Sequence, residues 1–413
     1  MAKGHIIAGL DIGTNTIKLL VIQKRNKEWE VLSYQEMPSF GLRKGAVVDA
    51  GEVSKNIQTL LSETEKNSSK KITSVFVNIG GNHIYITPSD GIISVSRANQ
   101  IISQEDIDRV LQATRAINIP QNEEVLDVFP KEFIIDDQKG IKQPLGLRGI
   151  RLEAKVLLLC VFSPYFINLT QAVLNSKLHI DDIVPSPLAA SEAVLTREQK
   201  ELGVALIDIG ASTTSLAVFE EGNLLHLAVF PIGSANITND IAIGLKTEIF
   251  VAESIKKQYG SCMLVKQDKE KKDEKINIEK KKIEIIENSS VVSFTRKDLV
   301  DIIEPRVSEI LDLILKELKK IGRQELLPCG IVLTGGGAKI SKIKELTKEQ
   351  LKLPVQIGKI KNILGLDEDT ALATVAGLVL SSAVMDETDK EGLSGVLKGF
   401  WSKIKKMLKV LVP

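Results

Sequence analysis

Asp11 and Asp208 each end an apolar run and open an Asp-Ile-Gly turn, in GLDIGTNTIKLLVI (Gly9–Ile22) and LIDIGASTTSLAVF (Leu206–Phe219). Small hydroxyl residues follow each turn, and then a second apolar run. The pattern spells a β-hairpin whose turn exposes backbone N–H groups and carries no bulky side chain. A concave run of amides of this kind can wrap a phosphate. Two carboxylates at the strand ends suit hydrated Mg²⁺, which takes one or two carboxylates alongside phosphate oxygens. A single Asp-x-Gly turn describes many ordinary hairpins. Two copies, each opening an α/β block, say more.

A third segment, GIVLTGGGAKISKIKEL (Gly330–Leu346), reads as strand, triple-glycine turn and helix. Glycines let a backbone come close to a flat base or a phosphate, although a purely structural turn has the same composition. The order Asp-Ile-Gly, Asp-Ile-Gly, Gly-Gly-Gly is neither the dinucleotide fingerprint nor the Gly-Lys-Ser/Thr of a P-loop. In AESIKKQY (Ala252–Tyr259), Glu253 and Lys256 stand one helical turn apart. They can clasp a ribose and base or form a plain surface ion pair.

These motifs need sheets to hold them, and the chain supplies alternating β and α segments, an α/β pattern. Ile6–Leu10, Ile17–Gln23, Trp29–Met37, Ser74–Ile79, Arg151–Phe162 and Ile180–Pro185 read as strands, with helices at Val53–Leu61, Ser103–Ile117 and Tyr165–Ser176. The second block repeats the theme: strands Val204–Ile209, Thr214–Glu220, Leu224–Val229 and Ile331–Thr334, helices Asn236–Gly244, Ile249–Tyr259 and Ala371–Val384. A long helix, Asp298–Ile321, is expected to be interrupted near Pro305. Within the first block Gly140–Gly149 is a Gly/Pro-rich loop, and within the second Lys266–Glu287 is a Lys/Glu-rich insert with a possible strand at Lys281–Ile286.

Composition narrows the function classes. The 413 residues are enough for two to four domains. A formal net charge of +1 and an aromatic content of 4% give no drive toward nucleic acid. Three dispersed cysteines and four histidines suggest neither a disulfide framework nor a histidine metal site, so a reducing cytoplasm is expected. The start has no signal-peptide pattern, and no run reaches the roughly 18 apolar residues of a membrane span.

The tail differs in kind. In VLKGFWSKIKKMLKVLV (Val396–Val412), Leu397, Phe400, Trp401, Ile404, Met407, Leu408 and Leu411 recur at helical spacing, while Lys398, Lys403, Lys405, Lys406 and Lys409 mark the other face. Such a helix lies in a membrane interface, with aromatic residues in the acyl boundary and lysines at anionic headgroups. The polar stretch Asp386–Gly395 reads as a linker that sets it apart.

The three glycine motifs in this order resemble the nucleotide cleft of the actin-like ATPases. A narrower resemblance, to the bacterial cell-division FtsA family, rests on VLDVFPKEFIIDDQKGIKQPLGLRGIRLEAKV (Val125–Val156), IVPSPLAASEAVLTREQKELGVALIDIGASTTSLAVFEEGNL (Ile183–Leu224), NDIAIGLKTEIFVAESIKKQYG (Asn239–Gly260) and IIEPRVSEIL (Ile302–Leu311). It implies an α/β, actin-like ATPase fold of two lobes around a nucleotide cleft, with an extra subdomain and a C-terminal amphipathic helix. The expected division is 1–82 and 161–198 for the first lobe and 83–160 for the extra subdomain. It continues with 199–235 and 304–384 for the second lobe, 236–303 for its small subdomain carrying the insert 266–288, 385–396 for the linker and 397–413 for the helix.

The resemblance further implies a set of site residues. ATP and Mg²⁺ would lie between Asp11, Gly13, Thr14, Asn15, Thr16 and Lys18 on one side and Asp208, Gly210, Ala211, Ser212, Thr213 and Thr214 on the other. Asp11 and Asp208 would position the metal and phosphates. The adenosine would lie toward Glu253, Lys256, Gly335, Gly336, Gly337 and Ala338. Expected partners are the C-terminal tail of FtsZ, further copies of the chain in actin-like filaments, an anionic membrane surface contacted also by Lys405, and other division proteins. Arg296, Lys297 and Arg306 are the candidate contacts for the acidic FtsZ tail. The chain departs from the family pattern at Ala211, Ser212 and Ser215, and it has Ser186 where many relatives carry an acid. Without that acid to position a water, hydrolysis is expected to be slow at most. A pilus-assembly scaffold of the PilM type and a small-molecule kinase of the same fold are the alternatives.

Overall fold

The computed structural model describes residues 6–25, 28–96, 98–117, 119–264, 283–287 and 290–391. The amphipathic segment 397–413 and most of the Lys/Glu-rich insert lie outside the described residues.

The chain builds one sheet plan twice. In the first lobe the strand order is His179–Pro185, Ser74–Ile79, Ile6–Ile12, Thr16–Arg25, Glu28–Pro38. In the second it is Val355–Ile357, Ile331–Thr334, Val204–Ile209, Thr214–Glu220, Asn223–Phe230. Each begins as an antiparallel meander and then adds two parallel strands beside the first. The central strands are buried along most of their length, with Ile17 through Ile22 entirely so, because elements cover both sheet faces.

Between Ser74–Ile79 and His179–Pro185 the chain inserts a separate antiparallel sheet of Ile84–Ser94, Arg151–Phe162, Glu123–Ile135 and Gln138–Ile141. Helix Gln104–Ala113 lies on it, with Ile102, Ile107 and Val110 packed among Phe133, Leu152, Ala154 and Leu158. Ser103 and Asp106 close a reciprocal capping box at its start. The helix stops short of the expected Ile117. Thr114 instead turns its hydroxyl back to the Leu111 carbonyl, at 2.7 Å.

Two further expectations for helices are corrected. Helix Arg296–Lys320 runs through Pro305 without a break. Proline removes one N–H, which frees only the carbonyl of Asp301 on the exposed side, where water can serve it. The apolar stripe Leu299, Ile303, Val307, Ile310, Ile314 and Leu318 stays buried and holds the register. The last helix, Ala373–Glu391, continues well into the segment read as a polar linker, since Glu and Lys are good helix formers.

The lobes meet where helices Ser186–Val194 and Ala373–Glu391 cross. A Cβ at Gly377 would lie 1.7 Å from the carbonyl oxygen of Ala189, so only glycine permits this approach. The later helix also packs on the first sheet, where a Cβ on Gly9 would meet Val379 at 2.9 Å.

Candidate functional site

A cleft of about 750 Å³ opens between the lobes, and both hairpin turns line it. In the first, Ile12 pairs with Ile17 and the Gly13 N–H donates to the Thr16 carbonyl at 3.2 Å. In the second, Ile209 pairs with Thr214 and the Gly210 N–H donates to the Thr213 carbonyl at 2.9 Å. The turns are thus the same length and register. At the tips, the Ser212 hydroxyl donates to Thr14 Oγ1 across the lobe boundary, at 2.9 Å.

The two carboxylates sit at matching positions but in different company. Asp11 lies opposite Lys18 in the register, and its Oδ2 is 3.1 Å from Nζ. Burial alone would lower the Lys18 pKa, but the charge and hydrogen bond of Asp11 raise it overall. Asp208 lies opposite Ser215 and so has no cation of its own strand pair. Burial, followed by the nearby charge of Asp11, pushes its carboxyl up to about 6, with Lys18 and the Thr374 hydroxyl working against the rise.

The three glycines after strand Ile331–Thr334 serve different purposes. Gly335 has φ +84°, and a Cβ there would fall 2.2 Å from Asp208 Oδ1. Gly336 has open space on its Cβ side and lines the cleft. Gly337 is packed against Ile209, where a Cβ would come within 2.3 Å of a side-chain carbon. Thr370 ties this turn down: its carbonyl accepts from the Gly335 N–H at 3.1 Å and its hydroxyl donates to the Gly335 carbonyl at 2.8 Å. Of the residues expected in the site, Gly337, Ala338 and Thr214 lie behind the wall. Ala338 is in the core, and buried Thr214 donates its hydroxyl to the Ile232 carbonyl at 2.9 Å.

Glu253 and Lys256 both line the cleft and are also paired with one another, at 2.6 Å. Lys256 is only 8% exposed, and its ammonium donates to Thr238 Oγ1 at 2.7 Å and to the Ser234 carbonyl at 3.1 Å. The Thr238 hydroxyl in turn donates to Glu253 at 2.6 Å. Burial opposes the Glu253 charge, yet hydrogen bonds from Lys256 and Thr238 keep its carboxyl below the usual range. The pair is therefore a fixed wall of the cleft and not a loose surface bridge.

Asn78, Ser186, Gly80 and Gly81 line the cleft as well, together with Tyr34, Glu36 and Asp369. Apart from Ser186, already noted where many relatives carry an acid, none of these was expected in the site. The glycine pair directly after strand Ser74–Ile79 was a usable signal; Asn78 and Tyr34 sit in ordinary strand sequence and gave none. The cationic trio expected to meet a partner is not one free patch. Arg306 is engaged with Asp240 through Nε at 2.6 Å and Nη2 at 2.9 Å, and with Glu309, whereas Arg296 and Lys297 are exposed at the helix start.

The cleft suits a hydrated divalent cation that arrives with phosphate. Among the described residues no group of three or more His, Cys, Asp or Glu could hold a bare metal ion. The two hairpins instead offer one carboxylate each, exposed turn amides and the open face of Gly336.

Comparison with known proteins gives a consistent answer. Residues 205–377 match the family "Cell division protein FtsA", and residues 81–160 match the "SHS2 domain inserted in FTSA". Cell division protein FtsA of Pseudomonas aeruginosa is 37% identical over 367 residues, covering 89% of this chain and 86% of that protein. The Bacillus subtilis relative is 34% identical, covering 92% and 84%. Among solved structures, the PilM-PilN type IV pilus biogenesis complex superposes with a TM-score of 0.64 at 18% identity, covering 91% of this chain and 98% of that one. MreB5 of Spiroplasma citri bound to ADP superposes with a TM-score of 0.54 at 14% identity, covering 94% and 98%. At such identities the structures establish the actin-like ATPase fold alone, and the four-stranded insert is the SHS2 domain. The chain belongs to the cell division protein FtsA family.

Proposed function

We propose that this protein is an ATP-binding, actin-like adaptor that tethers the FtsZ ring to the cytoplasmic face of the membrane and recruits later division proteins. The observation that carries the nucleotide reading is the pair of matched turns facing each other across the cleft, each with an aspartate at its base. ATP with Mg²⁺ occupies this cleft, its phosphates between the turns and its adenosine toward Glu253, Lys256 and Gly336. The ADP-bound MreB5 of similar fold supports nucleotide as the ligand. Filament assembly is supported by the shared fold with the MamK double helical filament, at a TM-score of 0.50. The FtsZ tail is placed on the small subdomain 236–303, with Arg296 and Lys297 as its cationic contacts.

No helix among the described residues is long and apolar enough to cross a membrane. Attachment is assigned to the segment 397–413. Each lysine near an anionic surface contributes about 1 kcal/mol, and burial of its large apolar side chains adds several kcal/mol more. Ordering the helix offsets part of this, so a single tail binds reversibly and filament formation strengthens attachment through avidity. Deleting Leu397–Pro413 is expected to leave ATP binding intact and release the protein from anionic vesicles, read by co-sedimentation. Sedimentation of the truncated chain with liposomes would remove the tail as anchor.

Hydrolysis is expected to be far below the roughly 10 s⁻¹ of a typical enzyme. The Ser186 hydroxyl donates to the Ile79 carbonyl at 3.1 Å and accepts from Asn78 at 3.0 Å, and a hydroxyl so engaged is no base for a water. A fast steady-state phosphate release would revive the kinase alternative.

A further inference from the structure

Asn78 is the penultimate residue of strand Ser74–Ile79, lines the cleft and is 4% exposed. Its amide is fully used. Oδ1 accepts from the Ile12 N–H at 2.7 Å, and Nδ2 donates to Asp11 Oδ1 at 2.7 Å and to Ser186 Oγ at 3.0 Å. Asp11 therefore has each oxygen held by a different partner: Oδ1 by Asn78 and Oδ2 by the Lys18 ammonium. Asp208 faces Ser215 where Asp11 faces Lys18, and Thr334 stands beside it on the neighbouring parallel strand.

We infer that Asn78 is the positioning residue that orients the Asp11 carboxylate for a hydrated divalent cation carried by a nucleotide, an inference that rests on the nucleotide reading above. Three features of the amide fit this role. It grips the backbone of Ile12 and the side chain of Asp11 together, so the carboxylate is fixed relative to its own turn. It is neutral, so it orients the carboxylate without competing for the cation or cancelling its charge. It comes from a neighbouring parallel strand of the same sheet, a rigid support for a group beside a metal. Ser186 stands on the far side of the amide and touches Asp11 only through it.

The role predicts a split between nucleotide binding with and without metal. Partners that orient metal-binding carboxylates are worth roughly 10- to 100-fold in metal affinity. Asn78→Ala and the similarly sized Asn78→Leu should each raise the Mg²⁺ concentration needed for half-maximal ATP binding by at least about tenfold. ATP binding in excess EDTA should change little, because the turn amides remain. Fluorescent-ATP titrations against Mg²⁺ and in EDTA read both quantities, and thermal unfolding without nucleotide shows which variants fold. The two Asn78 variants differ in the cavity they leave, so at least one is expected to fold. An unchanged Mg²⁺ requirement in a folded Asn78 variant overturns the inference, as does an equal loss with and without metal. Wild-type protein that binds no ATP under either condition would overturn the nucleotide reading itself.

Discussion

Gly336→Leu is expected to abolish the proposed ATP binding while leaving the protein folded. No atom lies within 4 Å of the Cβ position at Gly336, and its φ is not in the left-handed region, so the fold accommodates the side chain. The space it fills is the cleft. A leucine there keeps the nucleotide from approaching the backbone, and a loss of at least 100-fold in affinity is expected by calorimetry, with an unchanged unfolding temperature without nucleotide. The neighbouring glycine supplies the contrast. Gly335→Ala puts a Cβ 2.2 Å from Asp208 Oδ1 in a backbone with φ +84°, so it should destabilise the protein whether or not nucleotide is present. Wild-type affinity in Gly336→Leu would mean that the nucleotide does not pass this turn.

Asp208→Asn should make the nucleotide-free protein more stable and at the same time unresponsive to Mg·ATP. Burial and Asp11 raise the Asp208 carboxyl from 3.8 to about 6 in the folded chain. A carboxyl raised in this way is easier to ionise once unfolded, so its ionisation disfavours folding. The cost is absent below about pH 4, grows as pH rises through 6, and is fully present at neutral pH. It is on the order of 3 kcal/mol. Asparagine has no such cost, so the variant should unfold at higher temperature than wild type at pH 7.5 and at the same temperature near pH 4. Mg·ATP should stabilise wild type and leave the variant where it was, since one of the two carboxylates proposed to face the metal is gone. A variant less stable than wild type at pH 7.5 would show that Asp208 is held ionised by partners in the free protein.

The duplicated turn was legible in the sequence because a hairpin is local. Gly13 to Thr16 and Gly210 to Thr213 close within four residues, and the flanking strands follow from their apolar runs. The capping box at Ser103 and Asp106 and the helix Ile249–Tyr259 were readable for the same reason. The passage of the long helix through Pro305 was not, because propensity marks the lost hydrogen bond while burial of the stripe from Leu299 to Leu318 decides the outcome.

The floor and closure of the site depend on contacts that no local pattern encodes. Asn78 reaches Asp11 from 67 residues away and Ser186 from 108, while Ser212 meets Thr14 across 198. Glu253 and Lys256 share one helical turn in the sequence, but Thr238 and Ser234 from another helix turned an ambiguous surface pair into a fixed wall with the lysine buried. Arg306 looked like a free cation until the neighbouring helix supplied Asp240. The sequence alone determined the turns, the strands that carry them and the order of the two lobes, since those depend on residues within a few positions of each other. Only the tertiary structure decided which charges are engaged, which glycines face the cleft and which side chains orient Asp11, because charge pairing and burial are set by which elements pack together.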